Sequence, residues 1–218
     1  MKKILIIILA AAVAAAGFYL YHRQNQVVVV IDPGHGGYDT GAIADDGTKE
    51  KDLALSLALK IGEKLEAENS NITVVYTRSS DSVSWPSNES EDLKERVAIA
   101  EEAGADYYLS IHLNSADDTS AYGYCAYVKD SDDASKKIAS MIADNLDAAG
   151  WEYNRGTQTT ENQSLYVVDQ LSIPSMLFEA GFITNETELA DLQDSDNQDT
   201  IAAAIAKAYS DYIEGQSS

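Results

Sequence analysis

The chain has 218 residues, 45% hydrophobic and 23% charged, values that suit one domain with a packed core and argue against a disordered protein. Fifteen Lys and Arg residues stand against 36 Asp and Glu residues, and the net charge of −21 argues against nucleic acid as a partner, because such a surface repels phosphates. Cys125 is the single cysteine, which excludes an internal disulfide and a thiolate zinc cluster. Any metal must therefore be held by histidine and carboxylate groups.

A hydrophobic segment occupies the N-terminus. Two lysines, Lys2 and Lys3, precede the uncharged residues 4–21, and at about 1.5 Å per helical residue this stretch just spans a thin hydrocarbon core. The segment fits an uncleaved membrane anchor or a signal peptide cleaved after Ala16, and a buried helix of a soluble domain is the third interpretation. With lysines before the segment, the first two interpretations both place the rest of the chain outside the cytoplasm.

These observations divide the chain into two parts. We expect residues 1–26 to be a signal anchor or signal peptide and residues 27–218 to be one exported domain. Residues 1–23 contain Lys2, Lys3 and Arg23 and no acid, so their removal changes the net charge from −21 to −24.

Strands and helices alternate along the exported part. Val27–Asp32 is a continuous apolar run, typical of a strand buried on both faces, and Glu50–Asn69 has leucine and isoleucine at every fourth position, typical of an amphipathic helix. By the same criteria, further strands are predicted at 72–77, 107–111, 123–128 and 175–178, and further helices at 93–103, 134–149 and 200–213.

This order predicts an α/β fold: a single domain with a mostly parallel, twisted sheet of about six strands and helices on both faces, preceded by the N-terminal hydrophobic segment. Gly123–Val128 is short and bracketed by polar turns, so we expect it to be an edge strand. Residues 158–168 are interpreted as a loop with a short extended piece.

Four polar residues are expected to meet at one edge of this sheet. His35 follows the first strand, His112 ends the third and Glu179 ends the last, while Glu50 begins the first helix. Functional sites in such sheets form outside the carboxyl ends of the strands. Each residue alone has a structural explanation, such as capping or favouring a helix dipole. Together they supply two imidazoles and a carboxylate for an open zinc site, with a further carboxylate to activate water.

The motifs around these residues identify a family. The stretch IDPGHGGYDTGA, Glu50 at the head of the next helix, SIHLNS and FEAGFITN resemble the zinc-dependent N-acetylmuramoyl-L-alanine amidases, the amidase 3 family. The resemblance extends over nearly all of residues 27–213. Arg78 and the start of the second helix, Leu93–Arg96, also resemble the family pattern.

The resemblance implies an activity and a set of roles. It implies a catalytic domain at 27–218 that hydrolyses the amide between N-acetylmuramic acid and L-alanine in peptidoglycan, as an extracytoplasmic cell-wall hydrolase. One catalytic Zn²⁺ would be held by His35, Glu50 and His112, with Glu179 as the catalytic residue. We expect peptidoglycan as substrate, a membrane contact only through the N-terminal segment, no nucleic acid partner and a monomeric protein.

Three other residues receive weaker interpretations. Asp32 is expected to bond backbone amides around residues 34–37, either as support for the site or as a plain Asx turn. Asn114 lies two residues beyond His112, so strand alternation predicts a substrate contact. Cys125 is interpreted as a small apolar strand residue.

The lengths of two connecting segments indicate whether the site is blocked. Some members of the family carry a helical insertion that plugs the site, but residues 115–122 and 151–164 are too short for one. We therefore expect an open, constitutively competent site.

Two alternatives remain open. The same ligand set would serve a zinc peptidase or a deacetylase that acts on another amide. The fold would also serve a non-catalytic wall-binding regulator, although such a protein would be expected to have lost some of the four residues.

Overall fold

The computed structural model describes residues 26–83, 85–151, 153–161 and 163–216. The predicted N-terminal anchor or signal peptide lies outside these residues. Within the described part, no helix is long and apolar enough to cross a membrane.

Six strands form one mixed sheet in the order β2-β1-β3-β6-β4-β5. Their bounds are β1 Val27–Pro33, β2 Ile72–Tyr76, β3 Tyr107–Asn114, β4 Tyr124–Val128, β5 Asn154–Thr159 and β6 Ser175–Phe182. All neighbouring pairs run parallel except β4 and β6, which are antiparallel. The predicted α/β class is thus confirmed, with one reversed strand pair in the sheet.

The helices follow the strands along the chain. Their bounds are α1 Glu50–Glu68, α2 Glu89–Glu102, α3 Asp133–Ala148, α4 Tyr166–Asp169, α5 Glu186–Gln193 and α6 Ser195–Gln216. Helix α2 begins at Glu89, four residues before the prediction, because the Asn88 side chain accepts a hydrogen bond from Glu91 N and caps it there.

Side-chain alternation divides the core between the two faces of the sheet. Ile31, Leu109 and Phe178 pack in the larger cluster with residues of α1, α3 and α6. Val30 and Tyr108, from the same central strands, pack in the smaller cluster with residues of α2 and α4. Because successive residues of a strand point to opposite faces, both faces of β1, β3 and β6 are covered, which explains their nearly continuous apolar sequences.

The predicted edge strand was wrong. The strand at Tyr124–Val128 lies between β6 and β5, and the edge on that side is β5, which the sequence interpretation left among loops. The sequence of β5, NRGTQT, is polar and mostly exposed, so no hydrophobic pattern marks it. The segment 158–168, interpreted as a loop with an extended piece, contains the end of β5 and most of the short helix α4.

Candidate metal-binding and catalytic site

The site begins in the tight loop that follows β1. His35 has φ +59°, an uncommon value for a residue with a side chain, and Gly36, Gly37 and Gly41 also have positive φ. At Gly41 a Cβ atom would lie 2.6 Å from both Glu50 Oε2 and His35 Cδ2. The glycines therefore let the backbone turn and let the loop close against the first helix.

Two buried arginines hold this loop through its carbonyl groups. Arg78 donates from Nε to Pro33 O at 3.0 Å and from Nη2 to Gly34 O at 2.7 Å. Arg96 donates from Nη1 to Pro33 O at 3.0 Å and from Nη2 to His35 O at 2.7 Å. These charge-assisted bonds fix the unusual conformation at His35.

Asp32 supports the site through other partners than the expected ones. Its carboxylate pairs with Arg96 Nη1 at 2.6 Å and accepts hydrogen bonds from Thr77 Oγ1 and Ser110 Oγ, whereas the predicted bonds to the amides of residues 34–37 were wrong. The physical reason is burial: Asp32 is 1% exposed and requires a charged partner, which Arg96 supplies. Asp32 thus anchors Arg96, which in turn holds His35.

The loop, the helix and the third strand bring three possible ligands together. Glu50 Oε1 lies 2.9 Å from His35 Nε2 and 3.0 Å from His112 Nδ1. The ligand atoms of the three residues all lie within 4.8 Å of one another. Glu50 is further oriented by the amides of Ala42 and Leu113, which donate to its Oε2 and Oε1 at 3.0 and 3.1 Å.

This cluster fits a catalytic zinc ion. Two imidazole nitrogens and one carboxylate oxygen are a ligand set of open zinc sites, and the side chains of His35 and His112 are about one-fifth exposed, which leaves access for water and substrate. His35 Nδ1 lies 2.7 Å from Asp39 Oδ2, the carboxylate–histidine contact that orients metal-binding histidines.

The charges of the cluster shift its protonation. Burial lowers the pKa of His35, but the carboxylates of Glu50 and Asp39 outweigh that effect and raise it to about 9. Burial raises the pKa of Glu50, yet its hydrogen bonds with His112 and His35 hold it well below the usual range. Glu50 is therefore ionised and draws positive charge into the site, whether from protons or from a metal ion.

Glu179 lies beside this cluster on the neighbouring strand. It is directly in register with His112, in the paired strands β3 and β6. Its Oε2 atom is buried and has no hydrogen-bond partner among the described residues. Burial raises the pKa of Glu179 to about 7, while the nearby histidines lower it and Glu50 raises it. A largely buried, unpaired carboxyl group with a pKa near neutrality is suited to accept and return a proton.

Of two cavities on this side of the molecule, one has two of the four residues in its lining and the other has none of them. The smaller one, about 260 Å³, is lined by His35 and His112 together with residues of α2 and α4. The larger one, about 760 Å³, which we call the Arg155 cavity, lies over β4 and β5. Its lining residues are Asn114, Tyr122, Cys125, Tyr127, Tyr153, Asn154, Arg155, Gln158, Thr159 and Gln163. Asn114 thus lies in the larger cavity, where its role as a substrate contact stays a prediction.

Two connecting segments were expected to be too short for a helix that plugs the site, and their described residues contain no long helix. Residues 115–122 contain no helix, and the described part of 151–164 contributes β5. Whether the site is constitutively competent stays a prediction.

Sequence reasoning missed Asp39 beside His35 and Arg155 in the larger cavity. Asp39 supports His35, and its position four residues later in the same glycine-rich loop was the available signal. Arg155 lies on the polar edge strand, where no pattern marks a cavity.

Comparison with known proteins identifies one family. The profile of the Amidase_3 family, described as N-acetylmuramoyl-L-alanine amidase, matches residues 29–211. The N-acetylmuramoyl-L-alanine amidase LytC of Bacillus subtilis is 37% identical over 177 residues, which are 80% of this chain and 33% of the relative. This chain therefore spans about a third of the length of that relative.

In two further comparisons, the aligned region covers most of both proteins. The germination-specific N-acetylmuramoyl-L-alanine amidase of Bacillus subtilis is 29% identical over 84% of this chain and 78% of its own length. The crystal structure of an N-acetylmuramoyl-L-alanine amidase from Clostridium difficile 630 superimposes with a TM-score of 0.78 and 29% identity, over 88% of this chain and 99% of the other.

Proposed function

This chain belongs to the N-acetylmuramoyl-L-alanine amidase family, and we propose from that premise that it hydrolyses the amide between N-acetylmuramic acid and L-alanine in peptidoglycan. The observation that carries the proposal is the position of Glu179, whose unpaired carboxyl group stands in register with His112 beside the His35–Glu50–His112 cluster. A hydrolase needs such a group close to the electrophilic centre but free of other partners.

His35, Glu50 and His112 are the residues that would hold one zinc ion. Zinc bound there would supply Lewis-acid chemistry, polarising the scissile carbonyl and making water a better nucleophile. Asp39 keeps the His35 ring oriented, and the amides of Ala42 and Leu113 keep the Glu50 carboxylate oriented.

Glu179 would move the protons of the reaction. In its ionised form the carboxylate accepts a proton from the attacking water, and in its protonated form it donates that proton to the nitrogen of the departing L-alanine. The two steps balance, because the C–N bond breaks, a C–O bond forms and the carboxyl group returns to its starting state. Burial raises the pKa of Glu179, which favours its taking up a proton during the reaction.

The position of the protein in the cell forms part of the proposal. Peptidoglycan lies outside the cytoplasm, so residues 1–26 would serve as the anchor or as the export signal. The acidic domain would be repelled by anionic wall polymers, and a membrane tether would offset that repulsion. Wall turnover that stays unchanged when cells express the chain without residues 1–23 would remove the tether from this proposal.

The test is product analysis with purified peptidoglycan. We expect one zinc per chain and release of stem peptides with a free L-alanine amino terminus, with the number of glycan reducing ends unchanged. Glu179→Gln should keep its zinc and lose activity by about 100-fold or more, the scale of a missing general base. Glu101→Gln, which changes an exposed glutamate at the end of α2, is the matched control.

Other products would point to the alternatives. New amino termini within the stem peptide would indicate a peptidase, and release of acetate from the sugars would indicate a deacetylase. Binding to peptidoglycan without any product, in zinc-loaded protein, would favour the non-catalytic regulator and overturn the proposed hydrolysis.

A further inference from the structure

Arg155 is a cation at the wall of the Arg155 cavity, and within the described part of the chain it has no carboxylate partner. Its Nη1 donates to Tyr122 O at 3.0 Å, and its guanidinium lies 5.0 Å from the centre of the Phe182 ring. No Asp or Glu of the described residues forms an ion pair with it. An arginine has five N–H donors in a planar fork, so most of them are left for a ligand.

The chain offers many acids with which a cation could pair. Asp and Glu outnumber Lys and Arg by 36 to 15, so an exposed cation has many possible partners. Arg155 has an electrostatic effect on Glu188, but the Glu188 carboxylate accepts hydrogen bonds from the amides of Gly123 and Phe182 at 2.7–3.1 Å. A cation without an ion pair among the described residues, at the wall of a cavity of about 760 Å³, is placed to receive an anion from outside.

The walls of the cavity suit an extended peptide. Tyr122 and Tyr153 are half-exposed or more and stack edge to face, with their ring centres 4.9 Å apart. Asn114 and Gln158 add amide groups that can bond a peptide backbone. Aromatic surfaces with a few polar groups and one charge are typical of sites that orient a small ligand.

The register of the sheet indicates which half of the substrate lies here. Cys125, which lines the Arg155 cavity, is directly opposite Glu179 in the pairing of β4 with β6. In the proposed reaction Glu179 gives its proton to the departing amine, so the amine, and the peptide attached to it, leave on the side of Glu179. The smaller cavity, which contains the acidic groups Asp39, Glu89 and Asp92, lies on the side of His35.

The distances are compatible with a carboxylate close to the scissile bond. Strand β5 is the second strand from β6, about 10 Å away at the usual strand spacing. One extended residue covers about 3.5 Å, and the arginine side chain covers most of the remainder. A carboxylate on the residue that follows L-alanine falls within this range.

We propose that Arg155 is a specificity-determining residue that binds a free carboxylate on the peptide side of the scissile amide, in the residue after L-alanine. This inference rests on the proposed amidase function. It assigns the peptide to the Arg155 cavity and makes the enzyme selective for stems in which that carboxylate is not amidated.

Two synthetic substrates test the inference. Both are N-acetylmuramoyl tripeptides that start with L-alanine, continue through the γ-carboxyl of D-glutamate and end in an amidated lysine; they differ only in a free or an amidated α-carboxyl on the glutamate. We expect the zinc-loaded wild-type protein to prefer the free carboxylate by roughly tenfold or more in kcat/KM, the effect of one charge-assisted bond. Arg155→Gln should remove the preference, and Arg155→Glu should reverse it.

A binding measurement supplies a readout that does not depend on turnover. Calorimetric titration of the Glu179→Gln variant with each tripeptide should show the same preference, and the double variant with Arg155→Gln should show none. Lys207→Gln, an exposed residue of α6 that also removes one positive charge, should keep the wild-type preference. It separates a local contact from an effect of net charge.

The outcomes separate the two proposals. Cleavage of both tripeptides at equal rates, or a preference that persists in Arg155→Gln, overturns the assignment of Arg155 and leaves the amidase function intact. Cleavage of neither tripeptide, and of no peptidoglycan, overturns the amidase function and this inference with it.

Discussion

His112 and Glu179 lie directly opposite each other on the adjacent parallel strands β3 and β6. Side chains in register on neighbouring strands share a face of the sheet, so one residue that can hold a metal and one that can move a proton are adjacent without any loop between them. On the next strand, β4, Cys125 lies directly opposite Glu179. Cys125 also lines the Arg155 cavity, so it lies between Glu179 and that cavity.

This arrangement predicts two distinct losses of activity. His112→Ala should abolish both zinc binding and hydrolysis, because two of three ligands do not hold the metal in an open site. Glu179→Gln should bind zinc as the wild type does and fail only in turnover. Zinc content measured by elemental analysis, beside hydrolysis rates, tests the pair. A zinc-loaded, active His112→Ala protein would remove His112 from the ligand set.

The convergence of these residues could be predicted because it follows from topology. Apolar strands such as Val27–Pro33 and regularly spaced helices such as Glu50–Glu68 carry strong patterns, and parallel strands bring their carboxyl ends to one edge. Strand β5, which contains Arg155, could not be predicted, because its residues are exposed on both sides and contribute little to the core. The pairing of Asp32 with Arg96 depends on contacts 64 residues apart, which local patterns do not encode.

Asp39→Asn should weaken the site without unfolding it. The substitution keeps the shape of the side chain but removes the negative charge beside His35 Nδ1. Loss of such a partner costs about 10- to 100-fold in metal affinity or activity. Competition with a zinc-sensitive dye measures the affinity. Asp45→Asn, an exposed change in the same loop region, is the control, and equal zinc affinity in both variants would show that Asp39 does not orient His35.

Gly34→Ala should displace His112. A Cβ atom at Gly34 would lie 2.4–2.7 Å from three atoms of the His112 imidazole ring, too close to be accommodated without a shift of that ring or of the loop. We expect zinc affinity to fall by about tenfold or more, as for other changes that disturb ligand orientation. Gly215→Ala, where nothing lies within 4 Å of the added atom, should leave affinity unchanged. Wild-type affinity and activity in Gly34→Ala would contradict the close packing of this loop against His112.

Asp32→Asn should destabilise the protein in a pH-dependent way. Burial raises the pKa of Asp32, but the Arg96 guanidinium and the hydroxyl groups of Thr77 and Ser110 outweigh it and hold the pKa well below its usual range. A carboxyl group whose pKa is lowered on folding stabilises the native state above its ordinary pKa of about 4 and loses that contribution as the pH falls further. The variant should therefore unfold with about 3 kcal/mol less free energy at pH 7, the scale of breaking a buried ion pair, and the difference should shrink below about pH 4.

Urea unfolding of both proteins between pH 3 and pH 8, in steps of about one unit, measures this difference across the range in which an aspartate titrates. Asp45→Asn serves as the control for loss of one exposed negative charge, and it should stay within about 0.5 kcal/mol of the wild type. A constant difference between Asp32→Asn and the wild type at every pH would mean that the carboxylate charge does not contribute, and that the hydroxyl contacts of Asp32 alone stabilise the fold. Because Arg96 also holds the carbonyl of His35, a pH-dependent loss of stability in Asp32→Asn should be accompanied by weaker zinc binding at pH 7.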